Sequence, residues 1–280
     1  MSHPAFSDSA LAAFRAAYPD DHAPLTHELV GHALLTVDAI ATLAARLPED
    51  RVEYNPGKLP LGITAEDTPR PALSIAETIA TIGENGSWMV LKNVERDPLY
   101  AALLDDALEP LRAIVEPRTG PMEHREAFIF LTSPNSVTPF HMDPEHNILL
   151  QIQGGKVMTV FPAGDDMLVP PEKSEAFALG GHRNLIWDEA FLAKGTAVPM
   201  EPGDAILVPV KAPHFVRNGD AVSISFSITW RSERSVAEGE LHSFNRLLRQ
   251  KGLPLVSVSG APERQKVARL GYRVARKMAG

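Results

Sequence analysis

Thr138-Pro-Phe-His-Met-Asp143, then Gln151-Ile-Gln-Gly-Gly-Lys156, and much later Val208-Pro-Val-Lys-Ala-Pro-His214 carry the reading of this chain. His141 and Asp143 stand two apart. On an extended backbone alternate side chains point to one side, so both can aim at one metal ion from one strand. His214 follows a turn, Glu201-Pro-Gly-Asp204, and a β run, Ala205-Ile-Leu-Val208, which is how a barrel presents a third ligand from a distant strand. Two imidazoles and a carboxylate fill one triangular face of a metal and leave the other open to a co-substrate and oxygen. Ligand type alone fits iron(II), manganese, nickel or zinc. A lone His-x-Asp is common on protein surfaces, so the context of His214 carries the inference.

Lys156 adds a charge. Gly154-Gly155 between two β runs is a two-residue hairpin signal. Pairing Gln153 with Lys156 across it puts Asn147, Leu149 and Gln151 on the face of Lys156, Met158 and Val160. A lysine entering a barrel among those neighbours is costly unless it meets an anion, and a dicarboxylate co-substrate supplies one. The plain alternative is an edge strand with Lys156 in water.

Outward from this stretch the chain reads as short β runs: Trp88–Leu91, Ala127–Leu131, Asn147–Ile152, Lys156–Phe161, Ala205–Val208 and Val222–Trp230. Many short strands with turn signals between them indicate a sandwich or barrel. Helical patterns flank them. Ser7-Asp8-Ser9 caps a helix over Ala10–Tyr18 that ends at Pro19. Leu29, Ala33, Val37, Ile40, Ala44 and Leu47 recur at helical spacing across Leu25–Leu47. Ser74 and Glu77 form a capping box for a helix reaching Gly83. Further helices are expected over Asp97–Val115, Glu240–Lys251 and Pro262–Met278. Residues 51–72, rich in Pro and Gly, read as a long irregular connection. The expected organisation is mainly β with flanking helices: a helical N-terminal region and loop over 1–85, a β core over 86–235 and C-terminal helices over 236–280.

A chain of 280 residues, 44% hydrophobic, has enough apolar material for a sizeable core. Its net charge of −8 argues against a broad nucleic-acid-binding surface. It has no cysteine, which removes disulfides, thiolate zinc sites and a cysteine nucleophile. The N-terminus lacks a basic segment followed by an apolar run, and no apolar stretch approaches ~18 residues, so a soluble cytoplasmic protein without a membrane partner is expected. The last helix carries Val267, Leu270, Val274 and Met278 on one face, to pack on the barrel or to pair two copies. Arg264, Lys266, Arg269, Arg273, Arg276 and Lys277 make a solvated basic face. Lys58, Arg70, Arg183 and Arg217 fall in loops, where they suit an acidic substrate and suit plain solvation equally.

The segments Val137-Thr-Pro-Phe-His-Met-Asp-Pro-Glu-His-Asn147 and Gln151-Ile-Gln-Gly-Gly-Lys-Val-Met-Thr-Val-Phe-Pro162 resemble the JmjC oxygenases of the cupin superfamily. Within them they look most like the hydroxylase branch that includes the asparaginyl hydroxylase of the hypoxia-inducible factor. That branch has a Thr three before its first ligand His and a Lys fifteen after it; here those are Thr138 and Lys156. Pro202–His214 is similar to the family's stretch before its second His, and the resemblance covers residues 86–231. It implies a double-stranded β-helix (jelly-roll, cupin/JmjC) core. It implies Fe(II) on His141, Asp143 and His214, and 2-oxoglutarate chelating the iron. The far carboxylate would rest on Lys156 and Thr138 in a charge-assisted contact. Asn147 and Ser227 would lie near the co-substrate.

The implied reaction couples 2-oxoglutarate decarboxylation to oxidation of a C–H bond, with no catalytic side chain beyond the metal ligands. The chain also departs from the family pattern. Phe128 and Phe130 stand where the family often places a co-substrate tyrosine, which leaves Tyr54 of the long loop as a candidate. Ala212-Pro213 replaces an aromatic pair before the second His. The substrate, a protein side chain or a small molecule, is therefore not carried over. Two other readings fit the same residues: a cupin-like binding or regulatory module without turnover, and another metal-dependent cupin enzyme such as an isomerase, with Glu145 or His146 as an added ligand. A homodimer through the C-terminal helices is also implied.

Overall fold

The computed structural model describes residues 4–64, 66–69, 72–258 and 262–279. Arg70 lies outside them. In chain order the elements are α1 (Asp8–Ala17), β1 (Ala23–Thr26), α2 (Val37–Ala44), β2 (Val52–Pro56), α3 (Ile75–Ala80), β3 (Ser87–Lys92), α4 (Pro98–Thr119), β4 (Glu123–Thr132), β5 (Val137–His141), β6 (His146–Gln153) and β7 (Lys156–Val160). There follow α5 (Pro171–Phe177), β8 (Thr196–Met200), β9 (Asp204–Val208), β10 (His214–Asn218), β11 (Ser223–Arg231), α6 (Glu233–Gln250) and α7 (Pro262–Ala279). A seven-stranded sheet runs β1-β9-β6-β11-β4-β3-β2, and a four-stranded sheet runs β5-β10-β7-β8. The strand pairs are antiparallel. Two facing antiparallel sheets with helices at the flanks make the jelly-roll, cupin/JmjC type of core.

β11 shows how the sequence builds this core. Its period of two sends Ile224, Phe226, Ile228 and Trp230 into the main apolar cluster beneath α1 and α4. Ser223, Ser225, Ser227 and Thr229 alternate with them and are equally buried, facing the space between the sheets. A smaller cluster there joins Leu149 of β6 and Met158 and Val160 of β7 to Ile206, Val208 and Val216. The outer face of the small sheet packs Phe140, Phe161, Phe215 and Leu185 under the segment that carries α5.

Four expectations are corrected. Gly154-Gly155 does not close a hairpin: β6 pairs with β11 and β9, whereas β7 pairs with β10 and β8. The turn carries the chain from one sheet to the other. Gly154 is held at φ 69°, and a Cβ there would lie 2.5 Å from the Val222 carbonyl oxygen. Leu149, Met158 and Val160 still share an interior because the two sheets face each other. The helical reading of Leu25–Leu47 fails at its start, since Ala23 and Leu25 are buried in alternation with Pro24 and Thr26 and dock β1 on the edge strand β9. Residues 51–72 are not all irregular, because Val52–Pro56 pairs with β3.

Of the two roles expected for the last helix's apolar stripe, packing on the barrel is overturned. Arg269 and Arg273 bind Glu240 of α6, while Val267, Leu270 and Val274 face outward with 72%, 64% and 49% of their surface exposed. One carboxylate satisfying two arginines holds α7 by its charged face. The Met278 side chain lies outside the described residues.

Candidate metal centre

β5 and β10 pair so that His141 and His214 stand opposite one another, ring centroids 4.2 Å apart. Each ring is fixed by the same local device. The Nδ1–H of His141 donates to the Pro139 carbonyl at 2.8 Å, and that of His214 to the Ala212 carbonyl at 2.9 Å. This tautomer leaves both Nε2 lone pairs free and facing inward, as a metal requires. Asp143 lies beyond the end of β5, so strand alternation does not aim it. Its carbonyl accepts the Lys211 amide at 2.8 Å, and the neighbouring Met142 amide donates to the Arg183 carbonyl at 3.3 Å.

These two loops bring Asp143 Oδ2 to 3.8 Å from His141 Nε2 and 3.6 Å from His214 Nε2. The three donor atoms all lie within 4.8 Å of one another. Bonds of ~2.0–2.2 Å to one ion span such separations. Burial, with the neighbouring His214 as a second cause, lowers the His141 pKa to about 3. The His141 imidazole is thus kept in the neutral form a metal binds. Burial raises the Asp143 pKa, yet the Arg183 guanidinium, the largest opposing cause, holds its carboxyl below the usual range. Asp143 Oδ1 is occupied, accepting Arg183 Nη1 at 2.8 Å. The neighbouring Asn147 side chain adds to the lowering of the Asp143 pKa, and its Oδ1 accepts Ser227 Oγ–H at 2.8 Å.

Farther in, Lys156 reaches from the small sheet to the large one. It is 7% exposed, and its Nζ donates to Ser225 Oγ at 2.6 Å. Ser225 donates in turn to Gln151 Oε1 at 2.7 Å, and Gln151 is tied to the Gln153 and Gly154 carbonyls. Among the described residues Lys156 has no carboxylate partner. Burial alone lowers its pKa to about 7. Thr138 Oγ1 accepts the indole N–H of Trp88 at 3.0 Å, which leaves its own hydroxyl hydrogen to give.

Several expected residues sit elsewhere. Tyr54 packs against the helix-side cluster, not in the interior. His146 stacks on Trp230 at 5.3 Å and bonds Ser232 at 2.9 Å, on the helix side of the large sheet. Glu145 is taken by Arg231 at 2.8 Å. Neither joins the His–Asp–His group. Arg183, read as a loop cation, is the partner of Asp143, and Arg217 lies over the Phe215 ring at 5.6 Å. Sequence reasoning places Gln151 on the face of Lys156 but does not single out Ser225 or Trp88. The Ser-Ile-Ser-Phe-Ser-Ile alternation signals Ser225 as strongly as Ser227, but the cross-sheet distance from Lys156 decides between them.

No family model matches the chain. It is 32% identical over 102 residues to the Jumonji C domain-containing protein 5 of Drosophila melanogaster, and 31% over 104 residues to the lysine-specific demethylase JMJ30 of Arabidopsis thaliana. These stretches are 34% and 35% of this chain and 25% and 24% of the relatives, so the match spans about a quarter of either one. Escherichia coli ycfD superposes over 94% of this chain and 66% of its own, with TM-score 0.53 and 14% identity. The E. coli ribosomal oxygenase YcfD in complex with cobalt and 2-oxoglutarate covers 94% and 65%, with TM-score 0.51 and 15% identity. At that identity the likeness is one of fold: the core is the double-stranded β-helix of these oxygenases. Among the described residues no helix is long and apolar enough to cross a membrane.

Proposed function

We propose that the chain is an Fe(II)- and 2-oxoglutarate-dependent oxygenase, a hydroxylase acting on a C–H bond of a protein side chain or small molecule. One observation carries the reading. Two tautomer-fixed imidazoles and a carboxylate share a focus, and the same interior holds a buried lysine with no carboxylate partner among the described residues. His141, Asp143 and His214 would hold the iron. Lys156, with Thr138 beside the same interior, would hold the far carboxylate of 2-oxoglutarate. Asn147 and Ser227 would orient Asp143, and Ser225 would orient Lys156. Bound there, iron and 2-oxoglutarate supply an oxidant that places one oxygen atom of O2 on the substrate and the other in succinate, with release of CO2.

The residues of this chain do the rest by placement. The two backbone carbonyls fix the imidazole tautomers. Arg183 and Asn147 engage Asp143, and with Oδ1 given to Arg183, Oδ2 is the atom presented to the ion. The Val160, Ile206 and Val216 cluster keeps the interior dry. The demethylase and ribosomal-oxygenase names among the relatives support the class and leave the substrate open. The asparaginyl-hydroxylase branch stays as the reading of the Thr138 and Lys156 spacing. The outward apolar stripe of α7 supports a homodimer through the C-terminal helices, and a cytoplasmic location fits the same picture.

Iron-loaded protein should bind 2-oxoglutarate with the visible charge-transfer band of the chelate and release succinate slowly without substrate. Absence of both the band and 2-oxoglutarate binding would leave the non-catalytic binding module as the better reading. Binding of the metal with no effect of 2-oxoglutarate would favour another metal-dependent cupin activity.

A further inference from the structure

A cavity of about 480 Å³ lies beside the Asp143 turn, and the oxygenase reading gives it no role. Pro144 lines one side, and α6, α7 and the Gly180-Gly181 turn line the others. Its volume falls in the range of small-molecule sites, roughly 300–1,000 Å³. Part of the lining is apolar: Phe177, Val210, Val236 and Tyr272. The rest is charged, with Lys211, Arg231 and Arg276 against Glu238 and Glu240.

The two carboxylates are already neutralised. Glu240 accepts Arg269 and Arg273 of α7, each at 2.7 Å. Glu238 accepts Lys211 Nζ at 2.7 Å. Arg231 is shared with Glu145. Arg276 has no ion pair among the described residues, and Lys211 gives another of its hydrogens to His242 Nε2 at 2.7 Å. The cavity therefore keeps an excess of positive charge beside an apolar wall. Its cations would repel a cationic guest, while a neutral guest would gain only from the apolar side.

We propose that this cavity is a binding site for a small organic monoanion with an aromatic or branched body, its charge answering Arg276 and its body packing on Phe177, Val210 and Val236. It is separate from the Lys156 interior and does not rest on the oxygenase reading. It does touch the metal turn. Lys211 holds a left-handed backbone at φ 60°, and its amide carries the Asp143 carbonyl.

The test uses full-length, metal-free protein labelled at its valine methyls and titrated by NMR with phenylacetate. Phenethylamine and 2-phenylethanol serve as cationic and neutral probes of the same size. Phenylacetate should shift the Val210 and Val236 methyls saturably and bind at least about tenfold tighter than either control. Arg276→Glu should weaken phenylacetate about fivefold or more, whereas Arg264→Glu on the same helix should not. Equal or tighter binding of phenethylamine would overturn the proposal. So would shifts centred on Val160 and Val216, which belong to the other interior, or the absence of saturable shifts at ~10 mM phenylacetate. Because the readout needs neither iron nor 2-oxoglutarate, it fails or succeeds independently of the oxygenase assay.

Discussion

The two ends of the space between the sheets solve opposite electrostatic problems. At the His141–Asp143–His214 end a single carboxylate lies between two imidazoles and is answered by Arg183. At the Lys156 end a single cation is surrounded by neutral hydroxyl and amide groups and, among the described residues, is answered by no carboxylate. The first end is balanced when empty; the second is not. A buried charge without a counter-charge is costly, and groups perturbed in this way cluster at functional sites. The comparison teaches that the empty protein stores its electrostatic cost at Lys156, and that an anion there relieves it.

The largest effect should come from removing a donor at the first end. His214→Ala should lower Co(II) affinity by about 100-fold or more, read from the visible spectrum of the cobalt protein, because two remaining donors no longer define a face. The change should leave thermal unfolding of the metal-free protein within a few degrees. A loss under about threefold would remove His214 from the ligand set.

Next is Lys156→Met, which separates the two ends. It should weaken 2-oxoglutarate binding about 100-fold while leaving Co(II) affinity nearly unchanged. It should also stabilise the empty protein by about 1–3 kcal/mol at neutral pH. The sign follows from linkage. In the unfolded chain the lysine titrates near ~10.4, and in the folded chain near about 7. Between those values the unfolded state binds more protons, so wild-type stability rises with pH across that window relative to the variant. Below about 7 the full penalty applies. Urea unfolding of both proteins at several pH values would show the gap narrowing as pH rises; a constant gap would mean that Lys156 is not the source.

Much of this contrast was legible in the sequence because it depends on local spacing. His141, Asp143 and Lys156 lie within one short stretch, and the alternation of β11 predicts a polar interior stripe. What stayed hidden depends on distances between sheets and loops. Arg183 lies 40 residues beyond Asp143, in a segment with no periodic signal. The Gly154-Gly155 turn looks like a hairpin locally, and only the pairing of β6 with β11 and β9, and of β7 with β10 and β8, shows that it leads to the other sheet. The α7 stripe left two roles open for a related reason. Amphipathicity gives two faces, and one carboxylate at Glu240 decided which of them turned inward.

Arg183→Met tests a smaller asymmetry within the first end. The guanidinium touches Asp143 Oδ1 and no other carboxylate of the group, so its removal should loosen Asp143 without removing a donor. Outer partners of metal ligands are worth roughly 10–100-fold in affinity, and a half-exposed arginine should fall near the low end, about tenfold weaker Co(II) binding. Arg183→Lys should recover part of that loss through charge alone, without the planar fork. Loss of 2-oxoglutarate binding without loss of metal binding would instead put Arg183 on the co-substrate's side of the site.

The smallest effect separates the two serines of β11. Ser225→Ala takes from Lys156 its one hydroxyl acceptor and should weaken 2-oxoglutarate about threefold to tenfold, since one hydrogen bond to a charged group is worth about 1.5 kcal/mol. Ser227→Ala frees Asn147 instead and should act on Co(II) affinity by a similar or smaller factor. If the two variants exchanged these effects, Asn147 and Lys156 would have to be parts of one network, and the division of the interior into a metal end and an anion end would fail.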